Sequence, residues 1–215
     1  MTAGHALVAF ATAAGLLTLT PGLDTALVLR TAALEGSRRA MLAGAGICAG
    51  CLAWGLAASV GLGALLAASR FGYHALRLLG ACYLMLLGAG MLFRARGLSV
   101  SGEHAGPGTA AKSSATASGW FVRGFLTNLL NPKVGVFYVT FLPQFVPAGV
   151  NVTSFGMLLA AIHATEGMVW FGALTLATRP LASWLGRPRV AATLERVTGL
   201  VLLGFGLALV FDKGR

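Results

Sequence analysis

Six apolar runs constrain this chain more than any other feature. They lie at roughly 4–29, 40–68, 73–93, 120–146, 152–178 and 190–211, and each reaches the roughly 20 residues a helix needs to cross a bilayer. Lipid offers no partner to backbone N–H and C=O groups, so a spanning run must be helical or belong to a closed barrel. No ten-residue alternation of the kind that marks barrel strands occurs. Charged residues are 10% and hydrophobic residues 57% of the 215 residues, with a mean hydropathy of +0.81. A soluble chain carries roughly 25% charge. The sequence therefore predicts an all-α integral membrane protein with six transmembrane helices.

The connections are short except for "RARGLSVSGEHAGPGTAAKSSATASG", residues 94–119, whose Gly, Ser, Ala and Pro content marks a flexible loop at the midpoint of the chain. The net charge is +10. The basic residues do not gather into a patch interleaved with aromatics, so nucleic acid is not the expected partner; they punctuate the gaps between runs. The first, third and fifth loops carry 11 of them and the opposite side only four: Arg70, Arg77, Lys213 and Arg215. Basic residues concentrate on the cytoplasmic side, which places the odd loops there and both termini outside. No Lys or Arg precedes Arg30, so the first run is expected to be a retained span rather than a signal peptide.

Three runs on each side of the long loop make two halves that cross the membrane in opposite senses, the arrangement of an inverted-topology repeat. One pair of segments supports it. The first span holds "LTLTPGLDTALVL" (17–29) and the fourth "LTNLLNPKVGVFY" (126–138). Each has a proline well inside the run with a charge close behind, Asp24 after Pro21 and Lys133 after Pro132. Proline removes a helical hydrogen bond and frees backbone groups, which membrane depth tolerates only where they line protein or a watery cavity. Broken first and fourth helices thus point to a substrate site between the halves. The plainer alternative is two ordinary kinks, with Asp24 and Lys133 only neutralising each other.

Glu166 is the other acid well inside a span, with His163 three residues earlier on the same helical face. Metal binding in the manner of di-iron bundles would need several more inward carboxylates and histidines, so no metal site is expected. A carboxylate at that depth is costly to leave charged and can exchange a proton with a pathway; Asp24 and Glu166 are the proton-coupling candidates. Cys48, Cys51 and Cys82 lie in apolar runs and read as packing residues, without the strand-to-helix turn of a redox pair. Gly44, Gly46, Gly50, Gly55, Gly61 and Gly63 would let helices approach closely, with a homodimer as a further possibility. No nucleotide or catalytic fingerprint appears, so neither a cofactor nor an enzyme is expected.

The segments "TPGLDTALVLRTAALEGSRRAMLAGAGICAG" (20–50), "LLGACYLMLLGAGMLFRARG" (78–97) and "RGFLTNLLNPKVGVFYVTFLPQFV" (123–146) resemble the lysine exporter and homoserine/threonine exporter (LysE/RhtB-type) family, in order and over essentially the whole chain. The family's first helix usually reads Pro-Gly-Pro; here Leu23 stands in place of the second proline. The resemblance implies one transporter domain over 1–215, with a first repeat of about 1–97, a cytoplasmic loop of about 94–119 and a second repeat of about 120–215. It implies a six-helix exporter of amino acids or close derivatives in the bacterial inner membrane, driven by a proton or ion gradient.

An amino acid brings a carboxylate and an ammonium, and a midplane site must complement both. Lys133 and amides near the second break are the expected partners of the carboxylate; Asp24 and carbonyls around Pro21 are those of the ammonium. Asn128, Asn131 and Gln144 would add neutral hydrogen bonds. The expected substrate-binding set is Pro21, Gly22, Asp24, Asn128, Asn131, Pro132, Lys133 and Gln144. The competing reading is an exporter or channel for another small solute, such as a metal or organic cation.

Overall fold

Proline and glycine decide where the helices stop. The computed structural model describes residues 2–68, 78–79, 81–82, 85–86, 88–93, 116–177 and 187–211, and every regular element among them is helical. Helix α1 (Ala3–Leu19) opens on Thr2, whose hydroxyl accepts from the N–H of His5, and closes at Thr20. Proline has no N–H to continue the ladder and pushes the residue before it towards extended backbone. Thr20 is extended accordingly. Helix α2 (Leu23–Glu35) starts after Gly22, and its axis departs from that of α1 by 52°. It ends at Gly36, whose φ of 90° suits glycine alone among the common residues, and α3 (Ser37–Ala68) follows at once.

In the second half α4 (Ala117–Leu129) gives way at Leu130, and Asn131 caps α5 (Pro132–Val136). Pro132 occupies the first turn of α5, where a missing N–H goes unnoticed. The backbone then widens into a π turn over Phe137–Phe141 and tightens into a 3-10 turn over Leu142–Phe145. Helices α6 (Val152–Leu176) and α7 (Pro188–Phe211) complete the described elements. The run expected at 120–146 as one broken helix is therefore interrupted twice, at Pro132 and again where the π turn begins.

Helices α3 and α6 are each long and apolar enough to cross a bilayer, and α1 with α2 meets the same criterion as one bent span. Much of the run expected at 73–93, most of the 94–119 loop, and Arg70, Arg77, Arg94, Arg96, Lys112, Arg179, Lys213 and Arg215 lie outside the described residues.

Glycine sets the closest packing. A Cβ on Gly46 would collide with the Phe121 carbonyl, and one on Gly124 with the Ala43 carbonyl, so α3 and α4 cross backbone against backbone. Gly50 leaves the space that Asn128 fills: its Cβ would stand 2.6 Å from Asn128 Oδ1. Gly61 and Gly63, by contrast, face nothing within 4 Å among the described residues. The main core is aromatic. Phe10 of α1 meets Phe137 at 5.7 Å between centroids, and Phe137, Phe141 and Phe145 follow one another at 4.9 and 4.7 Å. This cluster lies on the N-terminal side of the first break and holds α1 against the irregular part of the second half.

Candidate functional site

The two breaks meet. A cavity of about 40 Å³ is lined by Gly22 and Asp24 from the first break, Asn128, Asn131 and Lys133 from the second, and Cys48, Cys51 and His163 from the helices behind them. That is room for a few waters.

The geometry follows from the missing N–H of Pro21. In an unbroken helix that group would bond the carbonyl four residues back, Leu17. The preceding N–H does not step in, since Thr20 N–H bonds Leu16 O at 3.1 Å. Thr20 O likewise lies past the end of α1. Both carbonyls are taken by Lys133, whose Nζ donates to Leu17 O at 3.2 Å and to Thr20 O at 3.3 Å. A helix C-terminus carries the negative end of the macrodipole, so a cation is favoured there.

Asp24 occupies the first turn of α2, where the positive end of that helix favours an anion. Its Oδ2 accepts from Asn128 Nδ2 at 2.9 Å, while its Oδ1 is buried with no hydrogen-bond partner among the described residues. Asn128 is fully buried and also donates towards Cys51 Sγ at 3.5 Å. The Asp24 and Lys133 charges lie within electrostatic reach of each other.

At the second break Asn131 caps α5, its Oδ1 accepting from Lys133 N–H at 3.1 Å. That backbone amide, expected from sequence to be open to a carboxylate, is thus engaged. The first-break carbonyls hold the lysine's ammonium here, across the divide between the two halves. Pro21 and Pro132 shape the backbone at the two breaks. Gln144 sits in the 3-10 turn, its Nε2 donating to Thr140 O at 2.7 Å, and does not line the cavity.

Glu166 is also apart. His163, Gly167 and Phe171 turn one face of α6 to the cavity, whereas Glu166, Val169 and Trp170 line a separate groove of about 370 Å³ against Gly15 and Thr18 of α1. His163 and Glu166, expected on one face, thus line two different cavities. His163 instead shares a 3.0 Å hydrogen bond with the Tyr138 hydroxyl at the edge of the aromatic cluster.

Several contributors escaped the sequence reading. Leu17 and Thr20 act through backbone carbonyls, and counting four residues back from Pro21 finds the first. The Thr20 hydroxyl makes a short hydrogen bond with Thr198 of α7, tying the break to the last helix. Cys48 and Cys51 pack as expected, Cys48 Sγ donating to Ala164 O at 3.2 Å, yet both also face the cavity.

A family model described as LysE type translocator matches residues 16–213. Similar proteins include a membrane protein of Bacillus subtilis (strain 168), 28% identical over 94% of this chain and 97% of its own. The threonine efflux protein of Escherichia coli (strain K12) is 27% identical over 91% and 92%, and the leucine efflux protein of Klebsiella pneumoniae 29% over 89% and 88%. No solved structure matches.

Proposed function

Since the chain belongs to the LysE type translocator family, whose members are transporters and not enzymes, we propose that it is a secondary active exporter of amino acids or close derivatives across the bacterial inner membrane. The observation that carries this reading is the meeting of two broken helices at one cavity that holds a carboxylate, Asp24, and an ammonium, Lys133. A zwitterion needs one of each. Relatives that carry threonine or leucine efflux in their names support the solute class.

The architecture we propose is six spans in two inverted three-helix repeats forming one transporter domain, with both termini outside and the odd loops in the cytoplasm. In that orientation the aromatic cluster around Phe137 lies on the outer side of the site and forms the barrier that must open for release. Rocking of the halves about the cavity then alternates access.

The substrate set is Pro21, Gly22, Asp24, Asn128, Asn131, Pro132 and Lys133, with Gln144 reaching the site only if the 3-10 turn rearranges. Protonation of Asp24 from outside would weaken its hold on a solute ammonium, which lets a proton gradient drive export; Glu166, in its separate groove, is the second candidate for that proton. The test is efflux of threonine and leucine from loaded membrane vesicles carrying wild type, Asp24→Asn or Lys133→Gln. Wild-type rates in both variants would remove the site. Efflux indifferent to collapse of the pH gradient and membrane potential would remove the coupling.

A further inference from the structure

Leu17 O and Thr20 O point at one ammonium, and Asp24, whose buried Oδ1 has no hydrogen-bond partner among the described residues, lines the same cavity. A primary ammonium has three N–H donors and no acceptor. We infer that Leu17 O, Thr20 O and the Asp24 carboxylate form a seat for a primary ammonium, whose two carbonyls Lys133 holds and for which a solute's own ammonium competes. The inference deepens the proposed export of amino acids and, for its transport arm only, rests on it.

The chemistry favours exchange over simple addition. Two carbonyls at the end of α1 and one carboxylate at the start of α2 are a poor environment to leave without a cation, because buried acceptors stripped of donors are destabilising. A solute that brings –NH₃⁺ replaces one ammonium by another, and no acceptor is stranded. Lys133, once displaced, is free to follow the solute's carboxylate. Gly22 lies against the seat: a Cβ there would stand 3.7 Å from the Lys133 Nζ, an ordinary contact. The seat then reads amine substitution. Each N-methyl group deletes one donor and adds bulk where a carbonyl waits, and a quaternary ammonium has no donor left.

Two measurements decide it. In the first, Lys133→Ala is purified in detergent and its thermal unfolding followed with ethylammonium chloride, tetramethylammonium chloride or sodium chloride at equal ionic strength. Ethylammonium should raise the midpoint of Lys133→Ala by several degrees, wild type by less, and the double variant Lys133→Ala with Asp24→Asn by less again, while tetramethylammonium should match sodium. Equal shifts with both organic cations, or none with either, overturn the seat. This arm needs no transport.

In the second, wild-type vesicles loaded with leucine or threonine are compared with vesicles loaded with their N-methyl and N,N,N-trimethyl derivatives. A site built around N–H donors discriminates strongly against analogues that lack them. Efflux of the trimethyl derivatives should fall by more than about tenfold, with the N-methyl derivatives between. Trimethyl derivatives leaving as fast as the parent amino acid overturn the inference while leaving amino-acid export intact. Ammonium rescue of Lys133→Ala without export of any amino acid keeps the seat and removes the proposed function. Absence of both removes the two together.

Discussion

The two helix breaks are built from the same elements, a proline deep in an apolar run with a charge behind it, yet they end differently. At the second, the carbonyl that Pro132 deprives of its partner is Asn128 O, and the N–H of Asn131 recaptures it at 3.0 Å. At the first, the corresponding carbonyl is Leu17 O; the preceding N–H, that of Thr20, reaches Leu16 instead. One break heals itself and the other stays open. The open break then draws its missing donor, Lys133, from the healed one. Similar local sequences thus produce a donor side and an acceptor side, and the polar link between the halves depends on that inequality.

The largest effect should come from removing the donor. Lys133→Met leaves two carbonyls without it, at about 1–3 kcal/mol each, so we expect a loss of roughly 2–6 kcal/mol in thermal unfolding together with loss of efflux. Next is Pro21→Ala, which restores an N–H for Leu17 O and removes the reason for the 52° bend. Its unfolding midpoint should hold or rise while efflux falls by about tenfold, equivalent to about 1.4 kcal/mol; a rise in both would mean that the open carbonyl has no part in transport. Asn131→Ala removes the cap of α5 and should cost about 1 kcal/mol of stability. Pro132→Ala should matter least for stability, within about 0.5 kcal/mol, since its N–H would be surplus in a first turn. Equal damage from Pro132→Ala and Pro21→Ala would erase the difference between the breaks.

Where the breaks fall was legible, because proline acts on its own neighbourhood. Which of them stays open was not, because it turns on whether the N–H just before the proline bonds three or four residues back, a choice made by the backbone of Thr20 and Asn131. Spacing of three placed His163 and Glu166 together, but the faces α6 presents are narrow enough that one turns to the cavity and the other to α1. Gln144 looked polar and near; the π turn before it, which no sequence pattern announced, carries it away. Asp24, Asn128 and Lys133, which line one cavity, stood out in the sequence because a polar side chain at membrane depth is costly unless it is used. Membership of a transporter family agrees with that reading.

The crossing of α3 over α4 has a consequence for how this gene can vary. Gly46 and Gly124 each face a carbonyl that even a single methyl group would strike. Every missense change of a glycine codon installs at least that methyl, so neither position has a mild neighbour in the genetic code. Two codons whose residues do not line the cavity are therefore among the least free to drift, and random mutagenesis should recover them as silent changes or as losses, with few intermediates.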